Sequence, residues 1–209
     1  MTAYYPVSLN LTGRACLVVG AGPVAARKAR GLLAAGSLVT VIAPEVGDAM
    51  AALSPLTIVR RAYAPGDAAA YRLVVTATGH PEVDTAVFSD AEGAGVWVNS
   101  ADDPDNCSFI LPSVHRDGPV TLAVSTAGSS PALSTWLRGR LAEELGPGTG
   151  ALAELLGRAR RQLKASGAST EAVDWAGLLD GPLPGLVAAG RMAEAERLVE
   201  AATGLTLEA

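Results

Sequence analysis

The sequence predicts an α/β fold in which parallel strands alternate with helices, followed by a smaller helical appendage. Three observations predict it. Short β-type apolar runs alternate with helical patterns from Cys16 to Asn99, as strands joined by helical crossovers do. The composition is rich in small and aliphatic residues, with 49% apolar and only 4% aromatic side chains, which suits helices packed closely on a buried parallel sheet. Gly146-Pro147-Gly148-Thr149-Gly150 then reads as a linker, and the pattern beyond it is helical throughout. At 209 residues there is room for one core of ordinary size and a small addition.

The first unit organises the rest. Cys16-Leu17-Val18-Val19 reads as a strand, Gly20-Ala21-Gly22 as a tight turn, and Val24–Ala35 as a helix closed by Gly36. The G-x-G-x-x-A spacing through Ala25 gives a Rossmann-like dinucleotide motif. Gly20 takes the turn, Gly22 leaves room for a pyrophosphate, and Ala25 permits close packing of helix on strand. Helix N–H groups and a dipole worth about half a positive charge give this loop a reason to hold an anion. Gly20, Gly22, Pro23 and Val24 are therefore the expected phosphate contacts. Arg27, Lys28 and Arg30 read as the solvated face of the helix.

Leu38–Ala43 is the second strand. At its end, where an acidic residue commonly meets the ribose, stands Ala43-Pro44-Glu45, so Pro44 and Glu45 are the ribose-side candidates; no arginine there favours a 2′-phosphate, and NAD is expected over NADP. Val46–Leu53 reads as a helix, Leu56–Val59 and Leu73–Thr78 as strands, and Pro81–Ala94 as a helix opened by proline. Thr78 ends its strand at the edge where such sheets bind ligands and is an expected cofactor contact, while His80 reads as a cap or surface residue. Gly95–Asn99 delivers Ser100-Ala101-Asp102-Asp103-Pro104 to the same edge. A carboxylate there either faces the nicotinamide or caps the turn before Pro104.

Upstream, Tyr4–Leu9 is an extended lead-in expected to lie across the sheet. Downstream, Phe109–Val114 and Val120–Ser125 read as two antiparallel strands around His115–Pro119. Thr126–Pro131 opens the helix Ala132–Leu145 with a proline and a hydroxyl cap. This second helix start is a candidate for an anionic substrate group, helped by Arg138 or Arg140. Helical periodicity returns over Leu152–Lys164, Thr170–Leu179 and Arg191–Ala202, interrupted by Gly181–Pro184.

Several classes are excluded. A net charge of −5 without a basic cluster argues against nucleic acid. No apolar run reaches the ~20 residues that span a bilayer, and Met1–Pro6 lacks the secretory pattern. Cys16 and Cys107 make neither a disulfide framework nor a metal-type spacing, so a reducing cytoplasm is expected and no metal ligand set is read.

Three blocks coincide in order and spacing: Gly20–Lys28; Val98–Pro104 with Cys107–Pro112; and Val124–Pro131. Together they resemble the precorrin-2 dehydrogenase family, which includes the dehydrogenase/ferrochelatase module of sirohaem synthases. The resemblance covers roughly residues 4–145. It implies NAD-dependent oxidation of precorrin-2 to sirohydrochlorin, in the sirohaem or cobalamin branch, by a cytoplasmic homodimer. It also implies that a ferrous or cobalt ion is a candidate chelation substrate, a lyase activity. Asp102 matches the family's proposed general base. Asn99, Ser125, Thr126, Gly128, Ser130 and Arg138 fall on the substrate side, with Arg116 and Arg140 as further partners for the macrocycle's carboxylates. Gly79-His80 and Asn99-Ser100-Ala101 depart from the usual family residues. The implied division is a nucleotide-binding domain over 1–114, a dimerisation and substrate region over 115–146, and a helical domain over 147–209. The length leaves no room for the methyltransferase domain of fused synthases, so that methylation is expected elsewhere. The rival reading is an NAD-sensing regulatory module without catalysis, which accounts for the glycine loop equally well.

Overall fold

Valine- and leucine-rich runs of three to five residues form five strands: β1 (Ala15–Val19), β2 (Leu38–Ile42), β3 (Thr57–Val59), β4 (Leu73–Thr76) and β5 (Trp97–Ser100). They make one parallel sheet in the order β3-β2-β1-β4-β5, the Rossmann-like arrangement. The structure, a computed structural model, describes residues 4–101 and 103–207. Its contacts divide the chain into two units, Met1–Leu111 and Pro112–Ala209.

In the first unit, the two-residue period of the strands separates two cores. Cys16 and Val18 of β1 face one side with Val39, Val41 and Val75, under α1 (Pro23–Ala34) and α2 (Asp48–Ala51). Leu17 and Val19 face the other with Val74 and Val98, under α3 (Pro81–Gly93). Ala25, Ala26 and Ala29 are buried on α1, where small side chains let the helix lie close to β1. Gly36 reverses the chain after α1 at φ 74°, a conformation that favours glycine.

The second unit pairs β6 (Ser113–Asp117) with β7 (Val120–Val124) in an antiparallel hairpin packed against α4 (Pro131–Leu145). Among the described residues four further α-helices follow: α5 (Thr149–Ala165), α6 (Trp175–Asp180), α7 (Leu183–Ala188) and α8 (Met192–Thr203). Leu155, Ala159, Leu183, Val187, Ala195 and Val199 form their core. Among the described residues no helix is long and apolar enough to cross a membrane.

Local expectations need correction in several places. Among the described residues Tyr5 is 87% exposed and Leu11 is the first hydrophobic residue packed on the sheet's core, so the lead-in from Tyr4 does not cover the sheet. The helix expected over Val46–Leu53 shrinks to Asp48–Ala51 because Gly47 N donates to Ala21 O, holding the preceding residues to the phosphate loop. His115, Arg116 and Asp117 are strand, and the turn is only Gly118-Pro119. Gly118 has φ 51° and Pro119 holds φ negative, the sign pattern of a type II′ hairpin turn. The linker contracts to residues 146–148, since Thr149 and Gly150 begin α5 and Gly150 N donates to Asp117 Oδ2 at 2.8 Å. Residues 170–179 are broken by Asp174, which caps α6 through Gly177 N. Pro182 and Pro184 open α7 instead of merely interrupting helix, proline being tolerated in a first turn.

Candidate functional site

β1 and β4 are adjacent in the sheet, and the connections leaving them run to opposite sides. This is the switch point at which open α/β sheets leave a crevice beyond the strands' carboxyl ends. Gly20 follows β1 at φ 100°, and a Cβ built there would lie 2.8 Å from the carbonyl carbon of Ala77, just after β4. Only glycine lets the two strand exits approach so closely. Gly20 N donates to Ile42 O at 2.9 Å, which fixes the turn to the end of β2. Gly22 is the N-cap of α1. It has extended backbone angles, no side chain caps the helix, no acid lies in its first turn, and a Cβ on Gly22 would meet nothing within 4 Å. Helix N–H donors at such a start suit a phosphate. Pro23 occupies the first turn and Val24 is half-buried beside it. The cradle fits a dinucleotide pyrophosphate. Pro44 and Glu45 are exposed in the loop after β2.

The exit of β4 is built around a residue the sequence did not single out. Asp84 of α3 is buried, and its Oδ1 accepts from the Thr76 hydroxyl, from Thr78 Oγ1 at 2.9 Å and from Thr78 N at 3.3 Å. Thr78, the expected cofactor contact, is thus fixed in place. Its hydroxyl also accepts from His80 N at 3.0 Å. His80 occupies the N-cap position of α3 without capping it by its side chain. An acid in the first turn of a helix that follows a Thr-x-Thr strand end was the available signal.

The exit of β5 is also polar. Asp102 lies outside the described residues. Asn99, expected on the substrate side, is buried, with Nδ2 donating to Phe109 O at 3.0 Å and to Cys107 Sγ at 3.3 Å, while Oδ1 accepts from Lys28 Nζ at 3.3 Å. Its amide is used inside the protein. Lys28 is therefore not simply on a solvated face. Its spacing from Ala25 and Leu32 puts it beside the buried stripe of α1, a signal that could have separated it from Arg27 and Arg30. Burial raises the pKa of the Cys107 thiol, opposed chiefly by the N–H of Ser100; Asp103 raises it further, and Lys28 and Asn99 oppose. Asp103 precedes the short turn Pro104–Asn106 and accepts from Asn106 Nδ2 at 2.7 Å. Among the described residues no three His, Cys, Asp or Glu side chains gather to hold a metal ion.

The remaining expected substrate residues belong to the second unit. Thr126 Oγ1 accepts from Ser130 N at 3.1 Å and donates to Ser130 O at 3.0 Å, and Ser125 Oγ accepts from Ala127 N at 3.2 Å. Ser130 caps α4 through Leu133 N at 3.2 Å, as expected of a hydroxyl before the proline. Gly128 is exposed at φ 83°. Arg138 is half-buried with Nε 3.4 Å from Ser113 Oγ, and Arg140 lies over the Trp136 ring, 5.8 Å from its centroid.

A family model described as NAD(P)-binding matches residues 7–113, just over half of the chain. The chain belongs to that family. A second model, for the central part of sirohaem biosynthesis proteins, matches residues 117–144. The siroheme synthase of Azotobacter vinelandii is 37% identical over 203 residues, covering 95% of this chain and 44% of the relative. That of Tolumonas auensis is 43% identical over 166 residues, covering 77% and 35%. The chain thus spans less than half the length of these curated relatives. Among solved structures, SirC, a precorrin-2 dehydrogenase, superposes with a TM-score of 0.74 at 25% identity, covering 95% of this chain and all of that one. The resemblance read from the three sequence blocks and the Rossmann-like parallel sheet are both borne out, and membership of this NAD(P)-binding family fits the uncapped start of α1.

Proposed function

We propose that the protein is an NAD-dependent dehydrogenase that oxidises precorrin-2 to sirohydrochlorin. The observation that carries this reading is the open N-terminus of α1 at the β1/β4 switch point. It stands on the same sheet edge as β5, whose exit loop contains Asp102 in the chain. The similarity to siroheme synthases and to SirC supports the substrate class.

Gly20, Gly22, Pro23 and Val24 hold the pyrophosphate, and Pro44, Glu45 and Thr78 flank the rest of the dinucleotide. The absence of arginine from the loop after β2 favours NAD. When bound, the nicotinamide supplies the hydride acceptor. Asp102 takes the proton that leaves the macrocycle as the hydride departs, so two hydrogens are lost, one with its electron pair and one as H⁺. Arg138, with the loop carrying Ser125, Thr126, Gly128 and Ser130, receives the carboxylate-rich tetrapyrrole, for which local positive charge matters more than the net charge of −5. Asn99 contributes by shaping the edge. Insertion of ferrous or cobalt ion into the product uses the same carboxylate. The assembly is a cytoplasmic homodimer through the second unit, whose α4 leaves Leu133, Trp136, Leu141 and Leu145 exposed.

The test is NADH formation from precorrin-2 and NAD under anaerobic conditions, with the wild type and Asp102→Ala. The wild type turns over. The variant loses about a hundred-fold or more in kcat while its NAD affinity measured by calorimetry is unchanged. Folded wild-type protein without turnover rejects the activity, and normal turnover by the variant rejects Asp102 as the base.

A further inference from the structure

Three side chains tie the carboxyl end of β5 to α1. Lys28 stands three residues after Ala25 and four before Leu32, both buried, so its stem follows the packed face of α1 and carries the ammonium towards the sheet. Arg27 and Arg30, off that stripe, are exposed. Lys28 Nζ donates to Asn99 Oδ1 at 3.3 Å, and Asn99 Nδ2 donates to Cys107 Sγ at 3.3 Å. Cys107 Sγ also accepts from Ser100 N at 3.2 Å and lies 3.3 Å from Ser100 O and 3.2 Å from Asp103 O, with one proton to give to one of these carbonyls. Ser100 and Asp103 bracket Asp102 in the chain. Both flanks of that loop are thus gathered on one sulfur. Ser108 fastens the returning segment, its N donating to Val98 O at 2.9 Å and its Oγ accepting from Val98 N at 2.8 Å.

We infer that Lys28, Asn99 and Cys107 are positioning residues that hold the Asp102 loop in register with the helix that binds the dinucleotide. The inference rests on the reading of Asp102 as the base. None of the three contributes a proton to the reaction. Lys28 sets the orientation of the Asn99 amide by charge, because the oxygen must face the ammonium. The amide's N–H₂ is then aimed at the sulfur and at Phe109 O. The thiol joins the two sides of the loop. A misplacement of about 1 Å in a reacting group costs about a hundred-fold in rate, so loosening this chain lowers turnover without removing a binding contact.

The experiment compares wild type, Lys28→Met, Cys107→Ala, Cys107→Ser and the double variant Lys28→Met/Cys107→Ala. It measures kcat and KM for precorrin-2, NAD affinity by calorimetry, and the thermal midpoint. Lys28→Met keeps the stem's packing, and Cys107→Ser keeps a donor and acceptor, so both are expected to fold. Each of Lys28→Met and Cys107→Ala lowers kcat about ten-fold, with KM and NAD affinity within about two-fold. The double variant is about as slow as the slower single one, because both cut the same chain, and Cys107→Ser recovers most of the rate. Unchanged kcat in the folded single variants overturns the inference. So do losses that multiply in the double variant, or that follow the thermal midpoint alone. Wild type without turnover, or full turnover in Asp102→Ala, overturns the underlying reading and the inference with it; a slow Asp102→Ala beside a fast Lys28→Met overturns the inference alone.

Discussion

α1 and α4 both begin with a proline in the first turn, and both helix starts were expected to meet an anion, yet they are finished differently. At α1 the cap is Gly22, which has no side chain, and no acid follows it. At α4 the cap is Ser130, whose Oγ takes Leu133 N, while Thr126 Oγ1 clasps both the N–H and the carbonyl of Ser130 and Ser134 Oγ returns to Pro131 O. One start is left open and the other is satisfied by its own loop. The difference is a single residue type at the cap, and it teaches that proline and a nearby glycine do not by themselves make an anion site. What matters is whether the chain supplies its own acceptor.

The largest effect should come from removing the turn that presents α1. Gly20→Ala places a methyl group against the Ala77 carbonyl at φ 100°, where both the clash and the backbone strain oppose folding. A loss of about 3 kcal/mol or more is expected, read as faster hydrogen exchange along β1 with no NAD binding. A stable variant would mean that the two strand exits separate easily, and the close approach would lose its meaning.

Gly22→Asp breaks the comparison more cleanly. Gly22 has φ −76° and ψ −177°, extended angles open to any residue, and its Cβ would meet open space, so the fold is kept. The new carboxylate caps the helix as Ser130 does and repels phosphate as well. NAD affinity should fall about a hundred-fold, which is about 2.7 kcal/mol, while circular dichroism is unchanged. Calorimetry that finds wild-type affinity would remove α1 from the dinucleotide site.

These contrasts show what the residues revealed in advance. The β1–α1 unit was legible because its apolar alternation, its glycines and its alanines are all local signals, and each strand of the sheet was found within a few residues. The helix Ala132–Leu145 was legible for the same reason. Partners in a neighbouring element were not. Asp84 holds Thr76 and Thr78 across the β4–α3 turn, Gly47 N reaches Ala21 O, and Asp117 takes Gly150 N, and each bond moves a boundary or redefines a loop in a way no period records. Charge is a weak guide to the role of a helix residue, so Lys28 was grouped with Arg27 and Arg30 although it alone shares the spacing of Ala25 and Leu32. Asn99 was legible as a residue at the sheet edge but not as one whose amide is used internally.

The smallest expected effect comes from Ser130→Ala, which makes α4 more like α1. The change removes the acceptor for Leu133 N, while the bonds from Thr126 persist because they are made to the main chain of Ser130. The loss of one cap costs about 1 kcal/mol, seen as faster exchange of the first α4 amides. The KM for precorrin-2 should stay within about two-fold, because the hydroxyl serves the helix and the loop keeps its shape. A much higher KM with the cap's stability intact would show that the hydroxyl serves the macrocycle. A lower KM would show that the freed N–H welcomes a carboxylate, and that Ser130 had been closing a site like the one at α1.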